Sequence, residues 1–364
     1  MEKVFEHGGN VHKFLRENMT KNTNCFDFSA NINPLGLSQS VSSSIKDNIN
    51  RIIHYPDVDG YELKNIISQY YHTSYNYLTL GNGAVELLYI LCNLLQPKNA
   101  LIIAPSFSEY ERAARSAKTK IEYYYLKEHE NFILDIEDLI LSIKQHDVLF
   151  IGNPNNPTGT ILTSNDIEKI VSQAKKNNCF VVVDESFIDF LPDSAKYTSR
   201  HLVKGFDNLL VLHSLTKFYA IPGLRLGFAI TNSKLTKSLH QVKDPWNVNT
   251  LAQTAGVAAL KDLKYQENSR NFMQQEIEFF YESLKAINTI KVYKPTVNFI
   301  LANIEGSTLQ AENLKSLLFQ RNILIRDCSN YPGLSKYYVR FAIKRHDENI
   351  FLIETLKKIL MDGK

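Results

Sequence analysis

The sequence has few cysteines and no pattern among them. Cys25, Cys92, Cys179 and Cys328 are scattered, with no Cys-x-x-Cys spacing. This leaves no framework for a metal site or a disulfide scaffold. Cys92 and Cys179 lie in apolar runs, so reduced, mostly buried thiols in a cytoplasmic protein are expected. Charge of one sign is also missing: 41 Lys and Arg against 38 Asp and Glu leave a formal net charge of +3. No Lys/Arg block of the nucleic-acid type occurs, which argues against a nucleic-acid partner. No apolar run approaches membrane-spanning length and Met1 to His7 holds no signal core, so no membrane partner is expected. Internal repeats and low-complexity tracts are absent, the run Ser42-Ser43-Ser44 being too short for a linker.

What is present fits an ordinary globular chain of two packed domains: 364 residues, 44% hydrophobic and 11% aromatic. Apolar strands alternate with amphipathic helices, the pattern of an α/β protein with a mostly parallel sheet. The strand candidates are 100–104, 121–126, 148–151, 179–183, 209–213 and 226–230. Helices are expected at 62–71, 85–95, 136–144 and 166–176, followed by one long helix over 250–287. Four further strand candidates, 290–293, 298–304, 323–326 and 337–343, with a helix over 347–360, suggest a smaller C-terminal domain. The boundaries expected are an arm at 1–35 packing on the small domain, a large domain at 36–249, and a connecting helix with the small domain at 250–364.

Four segments carry chemistry. In Ser214-Leu215-Thr216-Lys217, followed by Gly223-Leu224-Arg225-Leu226-Gly227, an amine follows two hydroxyls and stands ahead of a guanidinium. Such a set suits a Schiff base to an aldehyde cofactor that also bears a phosphate: Lys217 as amine, with Ser214, Thr216 and Arg225 on the phosphate. A surface lysine beside hydroxyls is the plain alternative. The run Phe180-Val181-Val182-Val183-Asp184-Glu185 reads as a strand buried on both faces, ending in an acid where open α/β sheets bind ligands. Asp184 is then either the partner of a pyridinium nitrogen or a helix cap. Gly81-Asn82-Gly83-Ala84 opens a helix, whose N-terminal amides suit a phosphate around Gly83 and Ala84. Asn153-Pro154-Asn155-Asn156-Pro157-Thr158-Gly159 must be a rigid, non-helical loop.

Taken together these segments resemble the pyridoxal-phosphate enzymes of the aspartate-aminotransferase fold. Within them the chain is similar to the histidinol-phosphate aminotransferases, and more closely to the L-threonine-O-3-phosphate decarboxylases of cobalamin synthesis. The closer likeness rests on His7-Gly8-Gly9-Asn10, Asp27 through Gly36, His54-Tyr55-Pro56-Asp57, Ser214 through Gly227 and Asn330-Tyr331-Pro332-Gly333-Leu334.

The resemblance implies a large domain with a seven-stranded, mostly parallel sheet, a small C-terminal domain, pyridoxal 5'-phosphate as cofactor and a homodimer with shared sites. It makes Lys217 the Schiff-base lysine and Asp184 the pyridinium partner, with Asn156 on the ring 3-oxygen and Phe107 stacked on the ring. Gly83, Ala84, Ser214, Thr216 and Arg225 would hold the phosphate, joined by Tyr55 from the neighbouring subunit. Arg340, alone in the apolar strand Tyr337 to Ile343, would clamp the substrate carboxylate. Arg326 would meet a substrate phosphate, with His7 and Asn33 closing the pocket. One departure stands out: Phe187 occupies a position where many relatives carry Tyr, so the ring oxygen loses a donor. The implied reaction is decarboxylation of threonine phosphate to (R)-1-aminopropan-2-yl phosphate, with serine phosphate as a second substrate. An aminotransferase on the same scaffold is the alternative, and a non-catalytic cofactor-binding regulator a more distant one.

Overall fold

A computed structural model describes residues 25–361 together with residues 8, 9, 11, 12 and 16. The strands are, in chain order, β1 (Phe26–Asp27), β2 (Leu78–Gly81), β3 (Asn99–Ala104), β4 (Lys120–Tyr125), β5 (Val148–Gly152), β6 (Phe180–Asp184), β7 (Leu209–Ser214) and β8 (Gly227–Thr231). After them come β9 (Lys291–Val292), β10 (Phe299–Asn303), β11 (Ile323–Leu324), β12 (Arg326–Asp327) and β13 (Tyr338–Ala342).

Strands β2 to β8 form one seven-stranded sheet in the order β2-β8-β7-β6-β5-β3-β4. Six of these strands run in one direction, and β8 alone is reversed, antiparallel to its neighbours β7 and β2. Its central strands are Val-, Leu- and Ile-rich without alternation because helices cover both faces; β5, β6 and β7 are buried along nearly their whole length. Parallel pairing brings the carboxyl ends of β5, β6 and β7 to one edge, where Gly152, Asp184 and Leu212 lie side by side in register. That edge is where an open α/β sheet leaves a crevice.

A second sheet, β12-β13-β10-β9, is antiparallel throughout. The residues of β1 pair with β11, and Phe28 is held between Leu324 O (2.8 Å) and Ala342 N (2.7 Å), so residues 26–28 pack against β11 and β13. The long helix expected over 250–287 is two helices, Thr250–Lys261 and Leu263–Lys285. Asp262 separates them with a non-helical ψ of 70°, and its carboxylate accepts from Tyr265 N at 3.1 Å, capping the second helix. The short strand β2 was not expected from the sequence. Its four residues are all buried but too few for a readable period.

All four cysteines are free thiols. Burial pushes the thiols of Cys92 and Cys179 up to about 12, so they stay protonated and inert. Among the described residues no helix is long and apolar enough to cross a membrane, and no group of His, Cys, Asp and Glu could hold a metal ion.

Candidate active site

The site is assembled at the carboxyl edge of the large sheet from four loops. Lys217 follows β7 and is partly exposed, and its Nζ donates to Ser214 Oγ at 3.0 Å. Burial, opposed by the Asp184 carboxylate and aided by the Arg225 guanidinium, lowers the lysine to about 8. A neutral amine is therefore accessible near physiological pH, as a nucleophile requires. The loop is tied by Asn33 N to Lys217 O (3.0 Å) and Ile221 N to Thr216 O (3.1 Å). Ser214 and Thr216, both buried, share a hydrogen bond of 2.7 Å between their hydroxyls.

Arg225 has φ 59° and ψ 73°, a left-handed conformation uncommon outside glycine and frequent where function over-determines a backbone. Its guanidinium lies against Gly83: a Cβ there would stand 2.4 Å from Arg225 Nη2, and Gly83 also has φ +82°. Gly227, paired with Ser214 across β7 and β8, permits the second close approach, because a Cβ on it would stand 2.4 Å from Ala84 N. These two glycines let the start of the helix Ala84–Leu95, the two hydroxyls and the guanidinium converge. The Gly83 N–H itself is used by Gly81 O (2.8 Å), so the amides from Ala84 onward, which have no intrahelical acceptor, supply the donors.

Asp184 is buried at the end of β6. Its two oxygens are fixed separately, Oδ2 by the Tyr110 hydroxyl (2.9 Å) and Oδ1 by Ser186 N (3.0 Å). Tyr110 is stacked on Phe150 at 5.7 Å and is pushed well above its ordinary value by burial and by Asp184, so it remains a donor. Phe107 meets Tyr110 edge-on at 5.7 Å. Sequence reasoning missed Tyr110; the only signal was its place three residues after Phe107, one helical turn away.

Arg340 and Arg326 face each other directly across β12 and β13, both buried. Arg340 Nη1 donates to Asn156 Oδ1 at 2.5 Å and Nη2 to Ser29 O at 2.7 Å, while its Nε is buried without a partner. Burial holds this guanidinium below its ordinary value. Arg326 donates to Asn330 Oδ1 at 3.0 Å and lies over the Tyr331 ring at 5.1 Å. Arg326, Phe107 and Tyr331 line one crevice with Ser106 and Tyr123. Phe187 stands between the two halves of the site. Its ring packs edge-on against Phe299 at 5.1 Å, with Lys217 Nζ 5.7 Å from its centroid, and Arg340 lies 5.4 Å from the Phe299 centroid.

One expected residue is placed differently. Asn33 uses its side chain internally: Nδ2 donates to Phe218 O and Ser269 Oγ, both at 2.8 Å, and Oδ1 accepts from Leu35 N at 3.1 Å. It braces the lysine loop instead of presenting donors to a pocket. Tyr55 is 79% exposed and stacks on Trp246 at 4.6 Å. His7 lies outside the described residues.

The residues present fit pyridoxal phosphate: a cradle free of Cβ atoms at Gly83 and Gly227 beside a guanidinium, a carboxylate held in place, and a lysine that loses its proton easily. Comparison with known proteins agrees. The threonine-phosphate decarboxylase of Salmonella typhimurium is 34% identical over 97% of this chain and 96% of its own. The crystal structure of a histidinol-phosphate aminotransferase from Clostridium acetobutylicum superimposes with a TM-score of 0.86 at 34% identity, covering 93% of this chain and 99% of that one. That of the L-threonine-O-3-phosphate decarboxylase from Porphyromonas gingivalis gives 0.81 at 26% identity, over 92% and 99%. The model of the family "aminotransferase class I and II" matches residues 23–351, and the chain belongs to that family.

Proposed function

We propose that the protein is a pyridoxal-phosphate-dependent decarboxylase that converts L-threonine O-3-phosphate to (R)-1-aminopropan-2-yl phosphate and CO2, and that it also acts on L-serine O-phosphate. The observation that carries this reading is the pair of buried guanidiniums, Arg326 and Arg340, set opposite each other on neighbouring strands with only neutral oxygens as hydrogen-bond partners. Like charges directly across a sheet are unfavourable, and a buried cation without an anion more so. A substrate with a carboxylate at one end and a phosphate at the other supplies both missing anions.

Lys217 would carry the cofactor, Asp184 would face its ring nitrogen, Phe107 its ring and Asn156 its 3-oxygen. Ser214, Thr216, Arg225 and the amides from Ala84 would hold its phosphate. When bound, the cofactor supplies a ring that takes up the electron pair of a bond broken at the substrate Cα. The chain's own part is orientation and proton handling. Arg340, fixed by Asn156 and Ser29, sets the direction of the substrate carboxylate, and Arg326 anchors the far end, so that the bond to the carboxylate is the one presented for cleavage. Lys217, near 8, can hold a proton for delivery to Cα and can also give one up.

We also propose that the active form is a dimer in which Tyr55 reaches the phosphate of the partner's site. Support comes from the segment around it, where Ile52 (59%), Ile53 (79%), Val58 (47%), Tyr61 (65%) and Trp246 (47%) are exposed together with Tyr55. Exposed apolar side chains gathered in one segment fit a protein interface. The large unit at 36–249 and the small unit at 250–364, with the arm on the latter, are the proposed domains, and the site lies between them.

The reaction is tested by supplying purified protein with L-threonine O-phosphate. Turnover with no keto acid added supports decarboxylation. Strict dependence on 2-oxoglutarate or another acceptor would instead make it an aminotransferase.

A further inference from the structure

The segment His213-Ser214-Leu215-Thr216-Lys217 begins with a residue that the site itself does not use. Side chains alternate along a strand, so His213 points to the face of the large sheet opposite Ser214. There it is 1% exposed and stacked on Phe228 at 4.8 Å. Its Nε2 and the Tyr71 hydroxyl each meet Asp189 Oδ2 at 2.9 Å, and each other at 3.0 Å. His213 Nδ1 has no hydrogen-bond partner among the described residues, so Asp189 and Tyr71 alone anchor the ring's polar atoms.

The charges around this contact are buried with it. Asp189, Tyr71, Glu185 and Arg200 are each at most 9% exposed. Arg200 lies over the Tyr71 ring at 4.5 Å, with its Nε 3.7 Å from Glu185 Oε2. Burial would raise Asp189, but the His213 ring, the Arg200 guanidinium and the Tyr71 hydroxyl outweigh it and hold the carboxyl below its ordinary value. Glu185 is held by Ser199 N (2.6 Å) and Ser199 Oγ (2.8 Å) on one oxygen and by Thr198 Oγ1 (2.8 Å) on the other.

Every part of this cluster is chained to a residue of the site. Glu185 follows Asp184, and its N–H donates to Leu212 O at 2.9 Å, joining the ends of β6 and β7. Asp189 comes two residues after Phe187, and His213 immediately before Ser214. Tyr219, two residues past Lys217, is buried as well; burial, Tyr71 and Asp189 push its hydroxyl well above its ordinary value. The lysine loop is therefore bracketed at both ends by groups that meet Asp189. Taking away the His213 donor leaves a buried carboxylate short of a partner, which the surrounding chain relieves by moving.

We propose that His213 and Asp189 are positioning residues of the cofactor site, their contact setting the loop of Ser214 and Lys217 against Asp184 from behind the sheet. The proposal rests on Lys217 as the lysine that captures the cofactor.

The test follows pyridoxal capture by apoprotein, trapped with borohydride from about pH 6 to 10, beside equilibrium dialysis with pyridoxal phosphate and the melting temperature of each variant. His213→Leu removes the donor, whereas His213→Gln returns an N–H close to the place of Nε2. In His213→Leu the displaced loop admits water to Lys217, so the midpoint of capture should rise from about 8 by about one unit. Affinity for pyridoxal phosphate should fall about tenfold, and His213→Gln should return it to within about threefold of wild type. Asp189→Asn keeps the side chain's shape and serves if His213→Leu does not fold. Its midpoint should also rise, although loss of a carboxylate acting through charge alone would lower a lysine. The double variant should shift no further than either single one, because both break the same contact. A lowered melting temperature with the midpoint left near 8, a downward shift in Asp189→Asn, or His213→Gln as impaired as His213→Leu would overturn the positioning role while Lys217 still takes the label. A wild-type label on another lysine would overturn the lysine assignment, and this proposal with it.

Discussion

The lysine gives the sharpest quantitative expectation. Lowering Lys217 from 10.5 to about 8 raises the neutral fraction at pH 7 from about one in three thousand to about one in ten, roughly 300-fold. Its largest cause is burial; Asp184 opposes it and Arg225 adds to it. Apoprotein should therefore capture pyridoxal, which has no phosphate to engage the cradle, at a rate that climbs with pH and reaches half its plateau near 8. The readout is borohydride trapping, with the mass of the peptide containing Lys217 followed against time from pH 6 to 10. The sign follows from the chemistry: the neutral amine attacks, so the rate rises as the proton is lost. Removing the Asp184 charge in Asp184→Asn takes away the influence that holds the proton on, so the midpoint should move down. A midpoint near 10, an upward move in Asp184→Asn, or labelling of another lysine at comparable rate would refute the reasoning.

Further outcomes follow from the same geometry. Gly83→Ala places a methyl 2.4 Å from Arg225 Nη2 at φ +82°, so affinity for pyridoxal phosphate should fall at least about tenfold in equilibrium dialysis while affinity for pyridoxal changes little. Arg340→Lys keeps the charge but loses the planar fork that spans Asn156 and Ser29, and kcat/KM should drop roughly 100-fold for every amino-acid substrate. Arg326→Gln should instead weaken phosphorylated substrates selectively, and equal losses for threonine and threonine phosphate would remove it from the phosphate pocket. Mixing Tyr55→Ala with Lys217→Ala, each inactive alone, should restore roughly a quarter of wild-type sites after subunit exchange, since about half the dimers are hybrids with one repaired site. No recovery despite exchange would place Tyr55 in its own chain's site.

The parts of the fold legible in the sequence were those with a local cause. Phe180 to Asp184 is apolar without alternation because it is covered on both faces, and Asp184 marks its end. Ser214, Thr216 and Lys217 are close in sequence and close in space, so their joint role could be read directly. What escaped was held by distant partners. Tyr110 reaches Asp184 across 74 positions, and Arg340 reaches Ser29 O across 311, a contact no periodicity encodes. Asn33 sits in the segment Asp27 to Gly36, on which the resemblance rests, yet its amide is taken up by Phe218 O and Ser269 Oγ, which only the folded chain brings near. The break at Asp262 could have been read, since an Asp three residues before Tyr265 is a capping position, but the apolar period runs on through it and masks the boundary.

The central claim is that the site presents the bond between Cα and the carboxylate for cleavage. It is tested most directly with L-threonine O-phosphate carrying carbon-13 in the carboxylate, incubated with the holoenzyme in deuterium oxide and followed by NMR. The account predicts labelled CO2 and bicarbonate in step with 1-aminopropan-2-yl phosphate bearing one deuterium at carbon 1, with no acceptor present. Label retained in a keto-acid product, appearing only when an acceptor is added, would contradict it.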